Sequence, residues 1–243
     1  MALETGLADK VALVTGGGTG LGKAIALGLA AEGAHVAIAG RVDHEETLTE
    51  IRGHGVRAGG IQVDLADEDQ TRTLVDRSLK LMGSLDLLVC NAAEAMHQPI
   101  GESTTEAWER TLLTNLLSAM WLCRSVLAHM RAMRSGSVLV VGSTTQYRYV
   151  PGQAAYHVSK VALAAFVRAL AVEAAPIRVN LLVPGRFPTP LNPQASTKGA
   201  ADIPLGRIGA PEEVAPAAVF LLSDRLASYV TGAEIVVSGG LHL

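Results

Sequence analysis

Three residues in one stretch of this chain have the types and spacing to do chemistry. Within residues 142–160 (GSTTQYRYVPGQAAYHVSK), Ser143 is followed thirteen residues later by Tyr156, and Lys160 lies four residues beyond that. Four residues is about one helical turn, so the phenol and the ammonium share a helix face. The apolar run 137–141 (SVLVV) reads as a buried strand that ends just before Ser143. A hydroxyl, a phenol and an ammonium therefore meet if that helix packs back beside the strand. A free tyrosine titrates near pH ~10 and is a poor base at neutrality, and lowering it by about three units takes about 4 kcal/mol. A nearby ammonium, helped by a second positive charge, works in that direction. Tyr-x-x-x-Lys by itself equally describes an ordinary helix with one exposed lysine and one half-buried tyrosine, so the rest of the chain has to decide.

The elements that must position this trio alternate along the sequence. Short apolar, β-branched runs at 10–15, 35–39, 57–63, 85–90, 137–141, 178–183 and 234–237 read as strands. Between them lie helical patterns at 23–32, 67–82, 115–133, 153–174 and 211–222, the last with proline in its first turn. Asp43 with Glu46, and Ser103 with Glu106, read as helix caps. Such alternation predicts an α/β fold with a mostly parallel sheet covered on both faces, and ligands in such sheets bind beyond the carboxyl ends of the strands.

Every motif falls at such an end. TGGGTGLG at 15–22 lies between the first strand and first helix. There Gly16, Gly20 and Gly22 allow a tight turn and close approach of a pyrophosphate, whose charge faces the N–H groups opening the helix. An ordinary glycine-rich turn is the competing reading. The second strand ends in Gly40-Arg41, with no acidic residue to hold the ribose hydroxyls of NAD. An arginine there suits the 2′-phosphate of NADP, so NADP(H) is favoured and NAD(H) stays possible. Alternatively Arg41 is a solvated loop residue.

Composition narrows the class. The chain has 243 residues, is 49% apolar and 18% charged, and carries a net charge of −3, which gives core enough for a large α/β domain and no broad basic surface for nucleic acid. No apolar run is as long as a membrane span, and the first nine residues lack the pattern of a signal peptide. Cys90 and Cys123, in an apolar strand and an apolar helix, read as buried thiols of a reducing compartment, hence a cytoplasmic protein. The seven histidines show no metal-ligand spacing, so no metal site is expected.

Taken together, the chain resembles the short-chain dehydrogenase/reductase family over nearly its whole length, from about Asp9 to Gly240. The resemblance is carried by Thr-Gly-x-x-x-Gly-x-Gly at 15–22, Asn-Ala-Ala at 91–93, Asn115, the Ser143/Tyr156/Lys160 spacing, and Pro184-Gly185 with Thr189. It implies one Rossmann domain over 1–243, a seven-stranded doubly wound parallel sheet holding both cofactor and catalytic sites. It further implies that Tyr156 exchanges the proton with the substrate oxygen, that Lys160 lowers the tyrosine pKa and binds the nicotinamide ribose, that Ser143 polarises the carbonyl, and that Asn115 helps hold a water. Gly16, Thr19, Gly20, Leu21 and Gly22 would cradle the pyrophosphate. Asp64 and Leu65 would flank the adenine, Asn91, Ala92 and Ala93 would line the adenosine side, and Pro184, Gly185, Phe187 and Thr189 would line the nicotinamide end. Two departures concern the cofactor cleft. Ala93 replaces a glycine, and Glu94 follows it. The loop after Thr189 is also short for the family.

For substrate, the segments 94–97 and 144–148, Gln153 and Arg186 are expected to face the cleft. Arg148 and Arg186 are either anion-binding groups or solvated loop arginines. A small or medium ketone or secondary alcohol is the expected substrate. The alternatives are a 3-oxoacyl carrier-protein reductase, with Arg134 where a docking arginine belongs, an NAD-dependent alcohol or polyol dehydrogenase, and a cofactor-binding regulator without activity. By analogy with the family, the two long helices are expected to pair copies of the chain into a homotetramer.

Overall fold

The computed structural model describes residues 4–42, 44–192 and 199–243. Seven parallel strands form one sheet in the order β3-β2-β1-β4-β5-β6-β7. They are β1 (Val11–Thr15), β2 (His35–Gly40), β3 (Ala58–Gln62), β4 (Leu87–Cys90), β5 (Ser137–Val141), β6 (Arg178–Pro184) and β7 (Glu234–Val237). The central strands are buried on both faces, which is why they read as unbroken apolar runs rather than alternating ones.

Alternate side chains feed two separate cores. Val11 and Leu13 of β1 join a cluster with Leu88, Val138, Leu122, Val126, Leu163 and Val167. Their neighbours Ala12 and Val14 join Ile25, Leu29, Val89, Leu139 and Leu221 on the opposite face. The first layer is covered by α3 (Glu68–Met82), α5 (Ser118–Met133) and α6 (Ala154–Glu173); the second by α1 (Gly20–Ala31), α2 (Glu45–Arg52) and α7 (Ala215–Leu222). A short α4 (Thr105–Leu112) leads into α5. By length and composition, the helical stretch Thr105–Met133 and α6 would suffice to cross a membrane, contrary to the sequence expectation. Half of each apolar window is buried in the fold, and the buried side chains of α5 and α6 belong to the core.

Local signals explain most boundaries. Asp67 caps α3 by accepting the Gln70 N–H at 3.0 Å, and Gly83 ends it in a left-handed conformation. The cap expected at Ser103 is one residue later. Thr104 accepts the Ala107 N–H at 3.2 Å, while Ser103 accepts the Trp108 indole N–H at 2.8 Å. The expected cap at Asp43 lies outside the described residues; α2 starts at Glu45. Buried Arg178 donates to the carbonyls of Leu221 and Leu222 and to Asp224, satisfying the orphan carbonyls at the end of α7. Cys90 and Cys123 are free and buried, and a hydrogen bond to Cys90, reinforced by burial, raises the Cys123 thiol pKa well above its ordinary value.

One boundary escaped the sequence pattern. The helix expected from Asn115 begins ten residues earlier with α4, and Leu113–Leu117 between α4 and α5 forms a π-helical turn. Such a turn inserts an extra residue into the helical register and commonly marks a functional site. Asn115 sits inside it.

Candidate active site

Glycine geometry defines the first half of the site. Gly16 has φ +64°, a backbone conformation that side chains resist. A Cβ on Gly22 would lie 2.1 Å from the Gly16 carbonyl oxygen and 2.4 Å from Asn91 Nδ2, so the turn closes only with glycine there. The first turn of α1 then opens onto a cleft of about 640 Å³. Gly16, Thr19, Gly20, Leu21, Gly22, Arg41, Asp64, Leu65, Asn91, Ala92, Ala93 and Thr189 all line it. A bare backbone concavity at a helix N-terminus, beside a switch in strand order, fits a dinucleotide's pyrophosphate.

Asn91 makes the cradle rigid. Its Nδ2 donates to the carbonyls of Thr15 and Gly16, at 3.0 and 3.3 Å, and its N–H donates to Thr15 Oγ1 at 3.0 Å. The ends of β1 and β4 are thereby tied together beneath the glycine loop.

The second half of the site is built on β5 and α6. Ser143 follows β5 and caps a short 3₁₀ turn, Thr144–Gln146, accepting the Thr145 N–H at 3.2 Å. Tyr156 and Lys160 project from one face of α6, as the four-residue spacing predicts, with Lys160 Nζ 5.5 Å from the centre of the Tyr156 ring. All three are buried; Lys160 is 2% exposed. Lys160 Nζ donates to the Val141 carbonyl at 2.8 Å, leaving two of its three donors for other partners.

Burial dominates the electrostatics here. It raises the Tyr156 pKa above the ordinary phenol value, while the neighbouring Ser143 hydroxyl pulls the opposite way. It lowers the Lys160 pKa to about 8, an effect only partly countered by Cys90. The resemblance implied a lowered tyrosine pKa; in this structure burial raises the phenol instead, and the Ser143 hydrogen bond offsets that only in part. At pH 7 the pair is a neutral phenol beside a cation.

Asn115 is anchored through its side-chain amide. Its Nδ2 donates to the Glu94 carbonyl at 2.8 Å and to Ser159 Oγ at 3.1 Å, and its Oδ1 accepts the Glu94 N–H at 2.7 Å. Both amide donors are thus committed to protein, and Asn115 clamps the loop after β4 onto α6. The π-helical turn aims the amide at that loop.

The loop after β5 is braced from behind. Glu234 of β7 accepts from Gln146 Nε2 at 2.9 Å, from the Tyr147 hydroxyl at 2.6 Å, and from Arg168 of α6. A single half-buried carboxylate therefore connects β7, α6 and the turn that carries Ser143. Burial, then the hydrogen bond to Glu234, raises the Tyr147 pKa.

Other expected residues fall elsewhere. The Phe187 side chain packs into the core, where it would meet a Cβ on Gly209 at 2.4 Å, and does not line the cleft. Pro184 and Gly185 end β6, with Gly185 packed against Ser238. The two arginines considered for an anionic substrate donate to main-chain carbonyls, Arg148 to Leu241 at 3.1 Å and Arg186 to Gly199. Gln153 and His97 do meet, at 3.2 Å. Pro193, in the loop that is short for the family, lies outside the described residues.

Two cleft residues carried no sequence signal. His44 packs over Gly18, where a Cβ would meet its ring at 2.0 Å, and lines the cleft beside Arg41. Arg110 reaches the same cleft from α4 and pairs with Asp64 at 3.2 Å and with Glu94 at 3.0 Å. Its pKa is raised, chiefly by the hydrogen bond to Glu94. Nothing in a lone histidine or a helical arginine marks it as reaching a cleft formed by distant strand ends.

Comparison with known proteins agrees with this geometry. Residues 16–242 match the family model described as enoyl-(acyl carrier protein) reductase. The human dehydrogenase/reductase SDR family member 4 is 35% identical over 245 residues, covering 96% of this chain and 88% of its own. Cyclopentanol dehydrogenase of Comamonas testosteroni is 37% identical over 242 residues, covering 96% of both. Among solved structures, an NAD(P)-dependent gluconate 5-dehydrogenase from Beutenbergia cavernae, described as putative and with NADP bound at low occupancy, superposes with a TM-score of 0.92 at 36% identity, covering 98% of this chain and 99% of that one. With the sheet order, the glycine cradle and relatives matched end to end, the chain belongs to the short-chain dehydrogenase/reductase family of oxidoreductases.

Proposed function

We propose that this protein is an NADP(H)-dependent oxidoreductase that moves a hydride between the nicotinamide and a carbonyl or secondary alcohol on a small molecule. The observation that carries the reading is the convergence of Ser143, Tyr156 and Lys160 at the end of β5, two strands from the glycine cradle at the end of β1. The dinucleotide supplies the hydride; the protein supplies position and protons. Thr19, Leu21 and the N–H groups of α1 hold the phosphates, and Asp64 and Leu65 bound the adenine side.

In reduction, Ser143 donates a hydrogen bond to the substrate carbonyl oxygen and Tyr156 delivers the proton. A phenol whose pKa burial has raised is fully protonated at pH 7, which suits an acid. As the proton leaves, the buried Lys160 cation stabilises the phenolate more strongly than it would in water. Oxidation of an alcohol runs the same path backwards. Because Arg148 and Arg186 are tied to main-chain carbonyls, a neutral ketone or alcohol suits this cleft better than an anionic one.

Arg41, at the end of β2 with Gly40 beside it, supports NADP(H) over NAD(H). Titration with each reduced cofactor by fluorescence tests this. NADPH is expected to bind about tenfold tighter, a 1.4 kcal/mol preference, and Arg41→Ala to remove the difference. Tighter binding of NADH would overturn the cofactor assignment. The exposed apolar side chains on α5 and α6, among them Met120, Met133, Val158, Val161 and Val172, support a homotetramer. A monomer by light scattering at micromolar concentration would refute that.

A further inference from the structure

Arg41 does not stand free at the end of β2. Its Nη1 lies 2.7 Å from Glu94 Oε1, in the loop after β4. The sheet order puts β1 between β2 and β4. The pair therefore reaches across the end of β1, over the mouth of the glycine cleft, and Arg41, Glu94, Arg110 and Asp64 all line that cleft. Arg110 holds Glu94 from the other side, through Nη2 to Oε1 at 3.1 Å and Nε to Oε2 at 3.0 Å. The Glu94 main chain is held too, its N–H and carbonyl both bonded to the Asn115 amide. The carboxylate is thus built into the cleft mouth, while Arg41 is its more exposed partner, with 59% of its side chain exposed against 23% for Glu94.

We propose that Glu94 is a determinant of dinucleotide specificity in this chain, acting as an internal anion that occupies Arg41. This rests on the reading of the cleft as a nicotinamide dinucleotide site. A 2′-phosphate carries about −1.5 to −2 charges at pH 7. To reach Arg41 it must displace the Glu94 carboxylate and then sit near a negative charge that Arg110 and Asn115 keep in place. A ribose with a free 2′-hydroxyl meets neither obstacle. The pair is partly exposed and hence weak, so it reduces the preference for the 2′-phosphate without abolishing it. Glu94 thereby sets how strongly Arg41 discriminates.

The test is binding, followed by isothermal titration with 2′,5′-ADP and ADP as probes of the adenosine end, and by fluorescence with NADPH and NADH. Glu94→Gln keeps the side-chain shape and removes its charge. It should tighten 2′,5′-ADP and NADPH by about three- to tenfold and leave ADP and NADH within about twofold. In the Arg41→Ala background the same substitution should give a clearly smaller selective gain, since only the repulsion between Glu94 and the 2′-phosphate is left to relieve. Glu94→Ala serves as a second variant, with circular dichroism melting reported for both, and should change preference in the same direction. An equal shift for both ligand pairs, no shift, or weaker binding of the phosphorylated ligands to folded variants would overturn the proposal. Failure of the wild-type protein to bind either NADPH or NADH would instead overturn the dinucleotide reading beneath it.

Discussion

The Ser143/Tyr156/Lys160 trio and the mouth of the glycine cleft handle charge in opposite ways. In the trio, Lys160 is a lone cation sealed between β5 and α6, with a carbonyl and a phenol for company. At the adenosine end, Arg41, Glu94, Arg110 and Asp64 form a chain of alternating charges at the cleft mouth. Burial decides the first and pairing decides the second. The buried cation is held at a cost, visible in its pKa of about 8, and in return acts in a low dielectric where a developing phenolate feels it strongly. The exposed chain costs little, contributes little to stability, and can be rearranged by an arriving ligand. Strained electrostatics thus sits at the proposed catalytic trio, and exchangeable electrostatics at the proposed adenosine side of the cleft.

The sharpest way to break the comparison is Tyr156→Phe. If Tyr156 is the proton donor as proposed, the substitution should lower kcat by about 10²- to 10⁴-fold while nucleotide binding persists. Turnover near wild type, measured under saturating cofactor and ketone, would show that the acid lies elsewhere.

Next comes Lys160→Met, read as stability against pH. The folded protein binds the Lys160 proton more weakly than the unfolded chain, so between pH 8 and 10.5 the unfolded state holds more of it. Stability therefore rises with pH through that window, and the penalty is fully present below pH 8. The 2.5-unit gap corresponds to about 3 kcal/mol. Whatever the constant offset between variant and wild type, the difference in their unfolding free energies should change by that order from pH 8 to 10.5, favouring the variant at the lower pH. A flat difference, from denaturant melts across the window, would mean that the ammonium is better solvated than its burial implies.

The smallest effect belongs to the cleft mouth. Arg110→Ala should change unfolding free energy by no more than about 1 kcal/mol, and raising the salt should shrink even that. A loss of several kcal/mol in urea melts would place this network with the buried cluster and erase the contrast.

Much of the architecture was legible before any coordinates. Strands such as 137–141 are apolar on both sides because a parallel sheet buries both faces, so hydropathy alone locates them. TGGGTGLG between a strand and a helix, and Tyr156 four residues before Lys160, encode local geometry that a turn or one helical face executes by itself. Element ends were less legible: Ser103 resembled a cap as well as Thr104 does, and the choice depends on Trp108 reaching back to take the serine.

What the sequence determined by itself is therefore whatever depends on neighbours along the chain: strand and helix periodicity, the glycine turn, and the shared face of Tyr156 and Lys160. Only the tertiary structure decided that Asn115 clamps Glu94, that Phe187 turns into the core, that Arg148 and Arg186 are occupied by main-chain carbonyls, and that Arg41 and Glu94 meet across β1. It also decided that burial raises the Tyr156 phenol. The reason is common to all of these. Pairing and desolvation depend on atoms that are close in space and far apart in sequence, and spacing along the chain carries no measure of either.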